Sequence, residues 1–366
     1  MPTIPATLRV LASGTVVAVV VGLAAAGLTG CGESRNEVGS TGAAQRLKLG
    51  YLANVTHAPA VIGVADGTYA RALGSTTLET TVFTAGPTAV QALLSGAIDA
   101  AYIGPSPAIN AYLQSGGQAV KVIAGAVSGG TALVVKPSIA NVGQLAGKTV
   151  ADPQRGGTQD VALKYFLSRH SLDFSNSGPT SVDVVSQSSA QTLTLFRQGR
   201  IDGAWLPEPW VSRLQQQAGA KVLVDERTQW PGGKYATTNL VVSSDYLAKH
   251  PQTVRALLTA QVITTRAMGA DPGKAARTLR ASLGVLTGTT LAASVVTGAL
   301  RNVTVGWDPF ATSLKVSATH AVEVGLLGKD ADLRGIYDLR PLNAVLHAHQ
   351  LPTVSDGGLG VQGESS

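Results

Sequence analysis

The chain has 366 residues, with 28 Lys and Arg against 22 Asp and Glu, a net charge of +6 and a charged fraction of only 14%. Its single cysteine excludes an internal disulfide and a cysteine-based metal cluster. The basic excess is scattered, without the Lys/Arg block that tracks a phosphate backbone, so nucleic acid is not expected as a partner and the charge reads as solubility or a mild bias toward anions.

In chain order, the first segment stands apart. Met1 to Arg9 carries one basic residue and no acid, and Leu11 to Leu28 is almost entirely apolar or small. That run approaches the ~18–20 residues that span a bilayer. It ends, however, in Leu28-Thr29-Gly30-Cys31, small residues at a cut site, which is the pattern of a secretory signal and resembles a bacterial lipobox. Residues 1–30 are read as a signal peptide and Cys31 as the lipidated N-terminus of the mature chain. Residues 31–45 are then a flexible tether, because the polar, Gly- and Ser-rich stretch after Cys31 cannot bury a core.

From Arg46 short apolar strands alternate with helices. Strands are expected at Leu47–Leu52, Thr77–Phe83, Ile98–Ile103, Val120–Val127 and Ala132–Val135, with helices at Ala58–Ala65, after Gly86-Pro87 and after Ser106-Pro107. Proline just inside a helix start and glycine just past its end (Gly96, Gly116) give those boundaries. The grammar restarts at Lys148: strands at Thr149–Ala151, Val182–Val185, Ile201–Leu206 and Lys221–Val224, helices at Thr158–Ser168, Ser189–Gln198 and Glu208–Gln217. After a strand at Asn239–Val242 the chain reads as helical, through Pro251–Met268, Pro272–Ser282, Thr290–Arg301 and Pro309–Val324. Residues 351–366 read as a disordered tail. Strands separated by helices imply an α/β fold with mostly parallel sheets.

Gly96-Ala97-Ile98-Asp99-Ala100-Ala101-Tyr102 is echoed by Gly199-Arg200-Ile201-Asp202-Gly203-Ala204-Trp205, which supports two related lobes. Ligands bind outside the carboxyl ends of strands in open α/β sheets, so a cleft between the lobes is expected. Helix starts that follow strands offer unpaired N–H groups and a favourable dipole to an anion. Those starts hold Gly86, Pro105, Ser106, Gln154, Gly157, Thr158 and Gln159; Ser106 and Thr158 are either ligand donors or plain N-caps. Asp160 competes with a bound anion for its helix dipole. Ser128 and Gly129 lie where the chain leaves the first lobe, as a hinge, a backbone-donating site or a turn. Trp205 offers an apolar wall with an N–H handle, with Trp210 read as core. Glu208 either pairs with a ligand amino group or caps its helix. Asn54 and His57 follow the first strand as donors, His57 equally as a structural hydrogen-bonder.

No Gly-x-Ser-x-Gly, Walker loop, His-Glu-x-x-His or cysteine nucleophile is present, and the six histidines show no metal-ligand spacing. No cofactor or metal is expected and the chain is not read as an enzyme. The best titrating pair for an enzymatic alternative, His57 with Glu208, comes from different lobes. The motifs Gly50-Tyr51 through Asn54, His57-Ala58-Pro59, Gly96 to Gly104, Gly156 to Asp160, and Ile201 to Trp205 with Pro207-Glu208-Pro209-Trp210 together resemble the solute-binding proteins of bacterial ABC importers for aliphatic sulfonates, taurine and nitrate. The resemblance implies a two-lobed type II periplasmic-binding-protein fold: first lobe 46–132, second lobe 133–238, and a return to the first lobe over 239–350, with crossings near Thr131–Lys136 and Thr237–Val242. It implies hinge closure on a small anion, a monomer working with ABC permease subunits, and an extracytoplasmic place on the outer face of the cell membrane. A sulfonate or taurine is expected ahead of nitrate, bicarbonate or a pyrimidine precursor. The related pyrimidine synthases look to depend on a cysteine-rich motif that this chain lacks.

Overall fold

The structure is a computed structural model and describes residues 42–174, 178–329 and 331–361. The signal, Cys31 and the tether as far as residue 41 lie outside the described residues. Among the described residues no helix is long and apolar enough to cross a membrane.

The chain opens with β1 (Arg46–Leu52), α1 (Ala58–Ala65), α2 (Thr68–Leu73), β2 (Thr77–Phe83), α3 (Gly86–Leu94), β3 (Ala100–Ile103), α4 (Pro105–Gln114) and β4 (Val120–Gly129). It continues through β5 (Thr131–Val135), β6 (Thr149–Asp152), α5 (Thr158–Arg169), β7 (Asp183–Ser186), α6 (Ser189–Arg197), β8 (Gly203–Pro207), α7 (Trp210–Ala218) and β9 (Lys221–Asp225). It closes with β10 (Ala236–Ser243), α8 (Ser244–Lys249), α9 (Pro251–Ala270), α10 (Pro272–Thr287), α11 (Ala293–Arg301), β11 (Val303–Val305), α12 (Ala311–Glu323) and α13 (Arg340–Ala348).

These elements form two sheets, one in the order β11-β4-β10-β3-β1-β2 and one in the order β7-β6-β8-β5-β9. The α/β reading holds: in each sheet most strands run the same way, and a minority enter antiparallel. β1 pairs in parallel with β2 and β3, and β6 with β7 and β8. The pairings of β10 with β3 and β4, of β11 with β4, and of β5 with β8 and β9 are antiparallel. The reason is the crossing. β4 runs out of the first sheet into β5 of the second and β10 returns, so each sheet receives strands that traverse it against the βα units.

The first crossing is Gly130, one residue before the expected Thr131, which already pairs with Pro207 on β8. Gly129 and Gly130 both hold positive φ, 74° and 77°, a region that side chains rarely enter. A Cβ on Gly130 would also stand 2.3 Å from Val303 Cγ1. The second crossing runs from Glu226 to Tyr235, ahead of β10.

The first lobe has one large core built on β1, β3, β4 and β10 and covered by α1, α4 and α9. The second sheet is sandwiched. On β5 and β8 the side chains alternate, as strand geometry requires: Leu133, Val135 and Trp205 face Leu163, Phe166 and Leu167 of α5, while Ala132, Val134, Ala204 and Leu206 face α6 and α7. The lobes also touch directly. Tyr165 of α5 stacks on His320 of α12 with ring centroids 3.5 Å apart.

The expectation of a disordered tail from residue 351 does not hold as far as residue 361. Val354 N–H donates to Asn343 Oδ1 at 2.9 Å, Gly360 bridges to Tyr337, and Leu359 is buried. Composition suggested disorder; anchoring on α13 and on the 336–338 segment overrides it.

Candidate functional site

A cleft of about 410 Å³ lies between the carboxyl ends of the two sheets. It is lined from the first lobe by the β1–α1 turn, the starts of α3 and α4, and the end of α10. From the second lobe it is lined by the starts of α5, α6 and α7. Helix starts leave N–H groups without intrahelical partners and carry positive dipole ends. Several such starts around one space make a field that favours an anion.

The starts are shaped by glycine. The N-caps of α4 and α5 are Gly104 and Gly157, and neither start has a side-chain cap bond. A Cβ on Gly104 would stand 2.3 Å from Thr158 Oγ1, so glycine is what lets α5 meet α4 at the base of the cleft. Thr158 is therefore not an N-cap. Its Oγ1 and Gln154 Oε1 are buried without a hydrogen-bond partner. A buried polar atom left unpaired costs ~1–3 kcal/mol; the Thr158 hydroxyl offsets that cost by donating to an anion, whereas Gln154 Oε1 accepts and needs a donor.

Asp160 does not occupy the helix start as a free anion. It accepts from Gly156 N–H at 2.8 Å and pairs with Lys164 Nζ at 2.7 Å. Beneath it Asp152 is fully buried, accepting from Ser186 Oγ at 2.9 Å. Burial first, and the Asp160 charge second, push the Asp152 carboxyl up to about 7.

Charge in the cleft is one-sided. Among its lining residues there is no Asp or Glu, and Arg213 is the one Lys or Arg. The Arg213 guanidinium lies 4.3 Å from the ring centroid of Trp210. No salt bridge is recorded for it among the described residues. Burial lowers its pKa, but a guanidinium stays charged at neutral pH. His57 is buried, and burial drives its pKa down to about 3, so it is neutral. Leu52 N–H donates to its Nδ1 at 3.4 Å, which leaves the Nε2–H as a donor. Asn54 Oδ1 accepts from Thr56 N–H and Oγ1 at 2.9 and 2.8 Å, fixing the turn that presents His57.

Of the sequence candidates, Asn54, His57, Gly86, Gln154, Gly157, Thr158 and Gln159 come together around this cleft. Pro105, Ser106, Ser128, Gly129, Trp205 and Glu208 are not among its lining residues. On α4, Gly104 and Pro107 share the cleft face at i, i+3 spacing, which turns Pro105 and Ser106 into the interior. Ser128 and Gly129 pair within the first sheet, with Thr304 and Val303. Trp205 lies two residues inside the end of β8, packed on Phe166 and donating to Glu226 Oε2 at 2.7 Å. Glu208 turns inward and caps α7: Ser212 N–H and Oγ donate to it at 3.0 and 2.9 Å, and Asn302 Nδ2 at 2.6 Å. Burial raises its pKa, partly offset by those donors. The titrating pair His57 and Glu208 is thus not assembled.

Trp210 packs against the second-lobe core as expected, but it also lines the cleft with Arg213, one turn apart on α7. Arg213, Phe83 and the end of α10 were missed. Trp210 and Arg213 at i, i+3 was the signal available in the sequence; nothing local marks α10.

A two-lobed α/β chain whose interlobe cleft gathers helix starts has the architecture of a periplasmic-type solute-binding protein. Solved structures agree on the fold: the alkanesulfonate-binding protein of Xanthomonas axonopodis pv. citri bound to MOPS (TM-score 0.65, 20% identity, 78% of this chain and 96% of that one) and the nitrate-binding protein of Synechocystis PCC 6803 (TM-score 0.70, 15% identity, 84% and 90%). The model of the NMT1-like family matches residues 41–282, and the chain belongs to that family. Among curated relatives, the taurine-binding periplasmic protein of Escherichia coli K12 is 27% identical over 229 residues, 63% of this chain and 69% of that protein. A putative binding protein of Brucella abortus is 24% identical over 180 residues, and the chain spans 54% of its length.

Proposed function

We propose that this protein captures a small organic anion outside the cell membrane and delivers it to an ABC importer, with an aliphatic sulfonate as the ligand ahead of taurine. The observation that carries the reading is the cleft's one-sided charge: helix starts, neutral donors and Arg213 converge, and no lining carboxylate opposes them. Dispersed dipoles hold a fixed monoanion without requiring it to titrate. Taurine would also bring an ammonium group, for which Glu208 is unavailable. The apolar share of the wall supports an organic anion over nitrate or bicarbonate. No catalytic role is proposed. A lipid on Cys31 and a monomeric state complete the reading. They are checked by release of a Cys31→Ser protein from the membrane and by light scattering.

Isothermal titration calorimetry tests the function, with alkanesulfonates, taurine, nitrate, bicarbonate and a pyrimidine as titrants. Saturable, 1:1 binding of a sulfonate is expected. Binding of none but the pyrimidine or the inorganic anions would reject it.

A further inference from the structure

The cleft is chemically divided. Polar donors come from α5, α6 and the β1–α1 turn, whereas the end of β2, the C-terminal end of α10 and the loop after it present Val82, Phe83, Leu283, Leu286 and Leu291. Val82 and Leu286 are 40% and 36% exposed, so two aliphatic side chains at the cleft stand in water, as at a ligand-binding groove. Phe83 is held by the missing side chain of Gly50, where a Cβ would stand 2.8 Å from Phe83 Cε2. The α10 end is equally fixed. Gly288 terminates it at φ 67°, and Arg280 Nε donates to Leu291 O at 2.6 Å, tying the following loop back to the helix. Residues 283–291 lie just past the stretch that the family model matches, 41–282.

Volume points the same way. A space of about 410 Å³ falls in the range of ~300–1,000 Å³ that holds drug-sized ligands, more than a one- or two-carbon sulfonate fills. Trp210 adds an aromatic face whose ring already carries the Arg213 guanidinium, an arrangement that places charge and apolar surface side by side.

We infer that the ligand of this cleft is an amphiphilic anion whose alkyl or aryl arm, several carbons long, lies against Phe83, Leu286 and Leu291 while its acidic head sits at the helix starts. The inference rests on the proposed anion-binding role of the same cleft, and it names the class within it: long-chain or aryl sulfonates rather than the shortest ones. Leu286 is the specificity-determining residue because it is exposed where the arm would cover it.

Calorimetry of the full-length protein with methane-, butane-, hexane- and octanesulfonate, each below its micelle concentration, tests this. Matched carboxylates of the same lengths form the second series. Affinity is expected to rise about fourfold per methylene, the transfer value for a buried CH₂, with a heat-capacity change that grows more negative with length. If sulfonates bind equally well at every length, the arm is refuted and the sulfonate reading stands. If only carboxylates bind, yet with the same length dependence, the arm stands and the sulfonate reading falls. If neither series gains with length, the inference is overturned. Leu286→Asn is expected to weaken octanesulfonate at least tenfold more than methanesulfonate. An equal loss for both, or no loss, would remove Leu286 from the arm's path.

Discussion

Replacing Arg213 by methionine isolates the one full charge of the cleft. Methionine keeps an apolar stem over Trp210, so the stacking that seats the side chain is largely retained while the guanidinium is lost. Two unit charges ~4 Å apart interact by about 4 kcal/mol at the effective dielectric of ~20 that suits protein surfaces. Part of this offsets the cost of stripping water from both groups, and hydrogen bonds to charged partners net about 1.5–3 kcal/mol. The expected loss is therefore about 2 kcal/mol, or roughly 30-fold in Kd. Arg213→Lys keeps the charge without the planar fork and should fall between the two. The fold should be little affected, because among the described residues its one hydrogen bond, to Gln217, is 3.5 Å long and exposed, and methionine keeps the packing of the half-buried stem on Trp210. The assay is calorimetry with an alkanesulfonate, run beside thermal unfolding of the unliganded protein. Unchanged affinity in Arg213→Met, with unchanged Tm, would refute the assignment of a cleft counter-charge and leave the helix starts to hold the anion alone.

Thr158→Ala is expected to weaken anion binding by about 1–2 kcal/mol, since it removes an unpartnered hydroxyl at the cleft base. Ser106→Ala is expected to leave affinity unchanged, and equal effects of the two in the same titrations would contradict their placement. Glu208→Ala should destabilise the fold by about 3 kcal/mol, read as a lower denaturation midpoint, because it strands three donors in a buried site. Asp152 gives a pH signature: its carboxyl rises from 3.8 to about 7 on folding, so its contribution is full below pH ~4 and is lost as pH rises through about 7. Between pH 7 and pH 5 the wild type should gain about 2 kcal/mol over Asp152→Asn in denaturant unfolding, and parallel pH profiles of the two would reject the assignment.

The fold was legible where local grammar and global topology agree. Pro105 and Pro107 within a helix bounded by Gly104 and Gly116, or Thr158 after Gly156-Gly157, mark helix starts by backbone chemistry alone, and the structure places α4 and α5 there. The antiparallel entry of β5, β10 and β11 was not legible, since strand alternation says which face a residue takes but not which way its neighbour runs. The site divides the same way. Main-chain donors at helix starts follow from element boundaries, so Gly157 and Thr158 could be found. Trp205 and Glu208 could not be told from Trp210 and Arg213, because the difference is one of facing. Pro207, Pro209 and Trp210 line the cleft while the residue between the prolines turns inward toward Ser212 and Asn302. Asn302 is 94 positions away, so no local pattern announces it.

That inward turn bears directly on the ligand. Sequence spacing leaves Glu208 free to meet an ammonium group, and an amino-sulfonate would then gain a second point of attachment. In the structure both carboxylate oxygens are engaged by donors. Rotating Glu208 into the cleft would strand Ser212 and Asn302, at ~1–3 kcal/mol for each buried group left unpaired. An ammonium entering the cleft would meet Arg213, a neutral His57 and the positive ends of helix dipoles, with neutral acceptors such as Gln154 Oε1 but no carboxylate on the wall. Its charge would find no counter-charge, and its loss of hydration would be only partly compensated. An apolar substituent at the same position would instead cover Phe83 and Leu286. The same withdrawal of one carboxylate therefore disfavours taurine and favours an uncharged arm. Propanesulfonate should bind more tightly than taurine, although the two differ only by a methyl group in place of the amine.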